Sequence, residues 1–333
     1  MARPSKRRRA DATVGGSAPS GTPSSARPAS SPSRPPGSTR PASSTPSRYR
    51  TQRVEVTRPW WQAPWAWGGA VTVVVVAVVV VFIVLGTPAA KSTSSSSSNP
   101  VAPASVLAAV TGVSPSVSST VGAGGVADPL EAISGSPAAL TGSSGKPEVF
   151  YLGAEFCPYC AAERWSVVIA LSRFGTFTNL HITTSDSNPG DFPNTHTFTF
   201  YGSSYSSPYL DFAPIETNDR NDNPLQTPSA AEGTLASTYD TSPYSSSAGG
   251  IPFQDYGNRY IVSGSGVNPE LLQGMTWQQI AVTLTDTSSK VAQPIIGDAN
   301  WLTAGICKLT GDQPTSVCSA APIASLEGQI ASS

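Results

Sequence analysis

Cys157-Pro158-Tyr159-Cys160 is the chemically sharpest sequence in the chain. Two thiols three residues apart at the start of a helix can close a disulfide within one turn. The first of them falls where free backbone N–H groups and the helix dipole favour a thiolate. A thiolate is the nucleophile of disulfide exchange, and in such positions its pKa falls from about 8.5 into the range of roughly 3.5–7.5. Pro158 is tolerated because a residue of the first helical turn has no N–H partner to lose. The spacing therefore reads as an attacking, accessible Cys157 and a resolving Cys160 one turn further in. Tyr159 would set the polarity beside the sulfurs, and Glu155 is a candidate for tuning them.

These thiols need a strand behind them and a helix ahead. Glu148-Val149-Phe150-Tyr151-Leu152 follows the turn Gly145-Lys146-Pro147 and has the β-branched and aromatic character of a buried strand. Ala161, Trp165, Val168, Ile169 and Ser172 then fall at helical spacing, and Gly175 ends the run. Leu180 to Thr184 reads as a second strand, so the pattern predicts a βαβ unit with a parallel pair and a right-handed crossover. Glu163 and Arg164 are expected on a solvated or salt-bridged helix face.

Residues 186–250 are rich in Ser, Asn, Pro and Tyr and read as a large insertion that would choose clients. Within it, Thr195 to Tyr201 alternates like an exposed hairpin strand, and Asn218 to Asn223 is a polar turn cluster. Order returns at Gly250-Ile251-Pro252-Phe253, with Tyr256-Gly257-Asn258-Arg259 as a hairpin turn before Tyr260-Ile261-Val262. Helices are expected at about Thr276 to Thr285 and at Pro294 to Leu309.

Cys307 and Cys318 make a second pair, with Gly311 and Pro314 between them. Outside the cytoplasm an even set of four cysteines suggests two disulfides. The pair reads as a structural staple, against an alternative in which it relays electrons to Cys157 and Cys160. A zinc site built from all four is disfavoured, because the second spacing is too long for a ligand pair and an oxidising compartment consumes thiols. No metal and no cofactor is expected. His181 and His196 have no partner motif, and no phosphate loop, serine elbow or paired-carboxylate motif supports a hydrolase.

The compartment follows from the charge. The 333 residues hold 20 Lys and Arg against 21 Asp and Glu, a net of −1 that hides a strong asymmetry. Residues 1–58 carry 12 basic residues and two acids, whereas 59–333 carry eight basic residues and 19 acids. Between the two halves, Gly68 to Gly86 contains no charge, enough for about 28 Å of helix. This predicts one transmembrane helix within 59–86, contacting the bilayer through 67–86, with Trp60, Trp61, Trp65 and Trp67 as an aromatic belt. A cleaved signal peptide is the weaker reading, since the apolar run begins almost 70 residues in. The basic flank puts the N-terminus in the cytoplasm and the C-terminal part outside. Residues 1–58 lack Leu, Ile, Phe and Cys and are expected to be disordered. Their Lys6-Arg7-Arg8-Arg9 cluster serves topology and attraction to anionic lipid rather than nucleic acid. Residues 87–104, with Ser94 to Ser98 unbroken, read as a tether to a domain over 105–325.

The stretch from Glu148 to Gly175 resembles the thioredoxin superfamily: a strand, Cys-x-x-Cys and a long helix. Cys-Pro-Tyr-Cys is similar to the glutaredoxin motif and to the Cys-Pro-His-Cys of periplasmic disulfide oxidases. The resemblance implies an α/β thioredoxin-like domain with its insertion before a cis-proline strand. It also implies that the cis-proline lies against the dithiol, for which Ile251–Pro252 is the match. More narrowly, Tyr151 to Trp165, Leu171 to Gly175 and Phe253-x-Asp255-x-Gly257-Asn258 resemble a family of membrane-anchored, thioredoxin-like envelope proteins, the domain of unknown function numbered 929. That resemblance covers about residues 105–325 and implies no activity. Two departures stand out: Tyr151 replaces the buried acid that many thioredoxins hold six residues before the first Cys, and Phe156 replaces the usual Trp.

The reading reached is a membrane-anchored, extracytoplasmic thiol–disulfide oxidoreductase in the cell envelope. Cys157, Cys160 and Pro252 would form its catalytic centre, with Pro158, Tyr159, Ile251 and Glu155 around them. Secreted or envelope proteins with thiols or disulfides would be its clients, with a membrane redox partner. The alternative is a non-catalytic binding module that keeps the fold and uses its disulfides as staples.

Overall fold

The computed structural model of the chain describes residues 99–188 and 191–331. The basic tail, the expected membrane span and the tether up to residue 98 lie outside the described residues. Among the described residues no single helix is long and apolar enough to cross a membrane. The helices are α1 (Ala104–Thr111), α2 (Pro115–Val121), α3 (Pro158–Ser172), α4 (Ala230–Tyr239), α5 (Trp277–Thr283), α6 (Ala292–Thr310), α7 (Thr315–Cys318) and α8 (Ile323–Glu327). The strands are β1 (Glu131–Ala132), β2 (Glu148–Gly153), β3 (Thr176–Thr178), β4 (His181–Thr184), β5 (His196–Thr199), β6 (Ser204–Ser206), β7 (Asp211–Glu216), β8 (Phe253–Tyr256) and β9 (Tyr260–Ser263).

The strand before the dithiol is where the sequence predicts it, and its alternation builds both layers of the fold. Val149 and Tyr151 of β2 join the main core with Trp165, Val168 and Ile295, beneath α3 and α6. Phe150 and Leu152 point the other way, into a smaller cluster with Phe253, Ile261 and the α4 residues Leu235 and Ala236. β2 is an inner strand of a five-stranded sheet ordered β1-β9-β8-β2-β7. It pairs antiparallel with β8 and parallel with β7, from Glu148 opposite Asp211 to Gly153 opposite Glu216.

The parallel partner differs from the sequence expectation. Leu180 to Thr184 leaves the sheet: β4 pairs antiparallel with β5, and β3 pairs with β6 around it, a nested hairpin inserted between α3 and β7. The physical reason lies in α3. Every residue of α3 except Tyr159 and Ser172 is buried, so the helix needs cover on the side away from the sheet. The chain that follows it folds straight back to supply that cover. Trp165 Nε1 donates to His196 O at 3.0 Å, Thr197 Oγ1 to Ala161 O at 2.6 Å, and the Trp165 and Phe198 rings meet edge-on at 4.6 Å. The stretch 186–250 is accordingly not one insertion before Pro252. It contains β5, β6, the sheet's edge strand β7 and the sheet-covering helix α4.

The chain is already held at the end of the expected tether. Ala102 N–H donates to Leu180 O and Ile182 N–H to Pro100 O, extending the β4 edge. Downstream, α5 starts on a capping box between Thr276 and Gln279, and α6 is the long terminal helix expected near Pro294. Cys307 and Cys318 are bridged, both buried, with Cα atoms 5.6 Å apart. Closing a loop of this length contributes about 2.8 kcal/mol in the chain-entropy model. Replacing both with Ala should lower the melting temperature by roughly 6–11 °C in a thermal scan.

The β8–β9 turn gives a pH-dependent counterpart. Gly257 and Asn258 both take positive φ, 66° and 56°, which Gly and Asn tolerate best. Asp255 Oδ1 accepts the Asn258 N–H at 2.6 Å, and burial pushes the Asp255 carboxyl up to about 7. An acid whose folded pKa is raised binds its proton more tightly folded than unfolded. Its contribution is full at low pH and is lost as pH rises from about 4 to about 7. Asp255→Asn keeps the acceptor and removes the titration. Between pH 5 and pH 8 the unfolding free energy should therefore fall by about 2.7 kcal/mol less in the variant than in the parent.

Candidate active site

β2 ends at Gly153, and four residues later Cys157 forms the N-cap of α3, with Pro158 in the first turn. The Cys157 sulfur accepts the Cys160 N–H at 3.2 Å, as an N-cap oxygen would. The two thiols are unbridged, and they are not equivalent. Cys157 is 5% exposed and Cys160 is fully buried. A hydrogen bond from the Cys160 thiol lowers the pKa of Cys157, helped by the backbone N–H groups of Cys160 and Tyr159 and by the Arg164 charge, against burial. Burial pushes Cys160 well above the ordinary thiol value, and the adjacent Cys157 raises it further. A thiolate is thus favoured on the outer sulfur over the inner one.

On the far side of that sulfur lies the loop into β8. The Ile251–Pro252 peptide is cis, and Cys157 Sγ sits 3.6 Å from Ile251 O, a contact bridging 94 positions of sequence. Pro252 O in turn accepts Gly264 N–H at 2.8 Å. Tyr159 is 42% exposed and packs edge-on against Phe192, 6.1 Å between centroids. Glu155 is fully buried, where Asn99 Nδ2 donates to it at 2.8 Å and Thr183 Oγ1 at 3.3 Å. Pro158, Tyr159, Ile251, Pro252, Cys157 and Cys160 thus come together, with Glu155 in the loop below them. Cys307 and Cys318 belong to the α6–α7 junction. Among the described residues, no group of three or more His, Cys, Asp or Glu is arranged to hold a metal ion.

The expectation for Glu163 and Arg164 is overturned: both are fully buried, because α3 is covered on both sides. Arg164 makes a fork-to-fork pair with Glu216 of β7, Nε to Oε1 at 2.8 Å and Nη2 to Oε2 at 2.6 Å. Burial pushes Glu216 upward and the guanidinium pulls it back, while the bidentate geometry is that of an ionised pair. Arg164 Nη2 also donates to Ala154 O at 2.7 Å, which ties the charge to the loop that carries Cys157. The Tyr151 ring lies 6.0 Å from the guanidinium, in the position where the buried acid of many thioredoxins was missed.

Glu163 faces the opposite way and fastens the proline loop. Its Oε1 accepts from Gln254 Nε2 at 2.8 Å, two residues after Pro252, and its Oε2 accepts Gly266 N–H at 3.1 Å. Asp298 of α6 lies against it, fully buried, with burial first and then the Glu163 charge raising its carboxyl well above the ordinary carboxylate range. Sequence reasoning missed these groups because they look like ordinary helix-surface charges. One signal was available: two adjacent charges, one turn past Cys160, in a helix otherwise apolar on every side.

A family model described as a domain of unknown function (DUF929) matches residues 134–308, which include both thiols of the pair, Pro252 and the Arg164–Glu216 pair. No curated protein and no solved structure matches the chain.

Proposed function

The chain belongs to the DUF929 family, whose description carries no activity, and we propose that it is a thiol–disulfide oxidoreductase on a thioredoxin-like fold. The observation that carries this reading is the division of labour at the N-terminus of α3: a low-pKa sulfur at the surface edge, a high-pKa thiol behind it, and Ile251 O 3.6 Å from the first. β2, Cys-x-x-Cys, α3 and a cis-proline entering β8 are the parts a thioredoxin-like domain calls for, and they support that assignment.

In the reducing direction, the Cys157 thiolate attacks one sulfur of a client disulfide, forms a mixed disulfide and expels the other client sulfur as a thiolate. Cys160 then attacks the Cys157 sulfur, its proton passing to the expelled thiolate. That attack releases the second client sulfur as a thiolate, which takes a proton from water, so the client leaves with two thiols and the enzyme holds a Cys157–Cys160 disulfide. Oxidation of a client dithiol is the same sequence reversed. Pro252 and Ile251 would hold the client backbone beside Cys157. The basic segment, the uncharged run and the belt of tryptophans support a membrane anchor, with this domain outside the cytoplasm. Secreted or envelope proteins are then its clients and a membrane protein its redox partner.

The reduction potential of Cys157–Cys160 tests the reading. A value near −120 to about −180 mV marks a donor of disulfides or an isomerase, and one near about −270 mV marks a reductase that needs an electron supply. Below about −300 mV the pair is a structural staple. One observation favours that second reading, a non-catalytic binding module: Cys157 is only 5% exposed. Alkylation after mild reduction separates the two, since a reactive Cys157 is modified fast and a staple is not.

A further inference from the structure

A cleft of about 550 Å³ opens beside the proline loop. One wall is Ser263, Gly264 and Ser265 at the end of β9, a second is Tyr244 and Ser245, and a third comes from the segment leading into β1, with Asp128 and Glu131. The cleft is continuous with the dithiol through the backbone. Gly264 N–H is bonded to Pro252 O at 2.8 Å, and the carbonyl of the preceding Ile251 lies 3.6 Å from Cys157 Sγ. Gly264 of the cleft wall is thus one backbone hydrogen bond away from the proline loop that faces Cys157.

The chemistry of the lining is one-sided. Two carboxylates, several hydroxyls and the Asn268 amide line it, and among the described residues no Lys or Arg does. Neither Asp128 nor Glu131 takes part in the ion pairs of the described residues. Lys308, whose field reaches Asp128, does not line the cleft. Asp240, outside the lining but beside Ser245, adds a third acid behind this wall: it is almost wholly buried, burial raises its carboxyl above the ordinary value, and its Oδ1 has no hydrogen-bond partner. Around them, residues 99–331 hold seven Lys and Arg against 19 Asp and Glu. A cationic side chain entering here meets carboxylates at the rim and hydroxyl acceptors for its remaining N–H groups.

We propose that the cleft lined by Asp128, Glu131, Tyr244 and Ser263 is a docking subsite for a basic flank of the client. Its occupant is an extended polypeptide segment carrying Lys or Arg close to the cysteine that meets Cys157. The inference rests on the oxidoreductase reading and gives that reading a substrate class. Charge complementarity of this kind selects among clients and speeds their encounter.

Binding to the full chain carrying Cys157→Ser tests it without any chemistry. The probes are short fluorescein-labelled peptides with Ser in place of the reactive cysteine, flanked either by Lys or by Glu, read by anisotropy. The Lys-flanked peptide should bind about fivefold to tenfold tighter at low ionic strength, and the difference should vanish near about 1 M salt. Asp128→Asn with Glu131→Gln should bring the two peptides together. Asp286→Asn with Asp312→Asn, exposed acids that do not line the cleft, should leave the preference in place. Equal binding in the parent chain overturns the proposal. So does a preference that survives loss of Asp128 and Glu131, or that disappears equally in the control pair. Exchange with cysteine-containing versions is read separately on the chain with Cys157 intact. Charge-selective binding without exchange overturns the redox reading and leaves the docking site standing.

Discussion

Cys157→Ser is expected to lower disulfide exchange by on the order of a thousandfold or more, because a hydroxyl at that N-cap supplies no thiolate. Cys160→Ser is expected to behave differently. Its outer sulfur still attacks, but nothing resolves the product, so a mixed disulfide with the client should accumulate and run as a shifted band on a non-reducing gel. The contrast follows from the geometry: Cys157 is the sulfur at the protein edge with the lowered pKa, and Cys160 is fully enclosed with a raised one. Both changes are near-isosteric, so unfolding free energy should move by only about 1 kcal/mol. Persistent exchange in the Cys157 variant would falsify the assignment, and a Cys160 variant that traps nothing would argue against its resolving role.

The second large effect concerns Arg164. Arg164→Gln leaves Glu216 charged inside the fold without its partner, which should cost about 3–5 kcal/mol in denaturant unfolding. Glu216→Gln strands the guanidinium in the same way. The double variant, Arg164→Gln with Glu216→Gln, removes both charges and should recover most of that loss. Reactivity should not recover with it. The Arg164 charge acts on the Cys157 sulfur directly and favours its thiolate. The pH profile of Cys157 alkylation should therefore move upward in Arg164→Gln and remain there in the double variant. If the double variant restores the profile along with the stability, Arg164 is a structural pair and nothing more.

On the proposed thioredoxin-like reading, this buried pair also bears on the position of Tyr151. With Tyr151 in the position of the usual acid, charge beneath the dithiol arrives from a different direction, along α3 and across from β7. Positive charge so close to both sulfurs favours the thiolate state, which agrees in sign with the lowered pKa of Cys157. The Arg164 hydrogen bond to Ala154 O makes the same residue a brace for the loop, so its loss should disturb geometry as well as electrostatics.

How much of this was legible beforehand depended on the range of the interactions. Whereas the cis-proline was expected only from the family resemblance, the β2 strand, the start of α3 at Cys157 and the start of α5 at Thr276 are set by short stretches of chain. Local propensity, turn residues and spacing were enough to read them. The pairing of β4 was misread because helix-then-strand patterns do not say which strand a helix crosses to. That choice came from α3 being apolar all round, so that the next segment was drawn over it instead of into the sheet. Residues 186–250 looked like one insertion for the same reason. Asp-Phe-Ala-Pro-Ile-Glu of β7 carries a weak strand signal, and only its parallel register against β2 brings it into the sheet, as an edge strand.

By itself, then, the sequence determined the dithiol and its polarity, since a Cys-Pro-x-Cys at a helix start assigns the outer and inner sulfur through backbone geometry alone. It also determined the uncharged run and the charge asymmetry, which are properties of composition. Only the tertiary structure decided the environment of those sulfurs. Whether Arg164 is a solvated charge or a buried one, whether Glu163 meets water or Gln254 and Asp298, and whether Asp128 and Glu131 share a cleft with Gly264 all depend on contacts between segments far apart in the chain. Side-chain type does not encode such contacts. Packing creates them, because covering α3 on both faces removes water and forces every polar group left inside to find a partner.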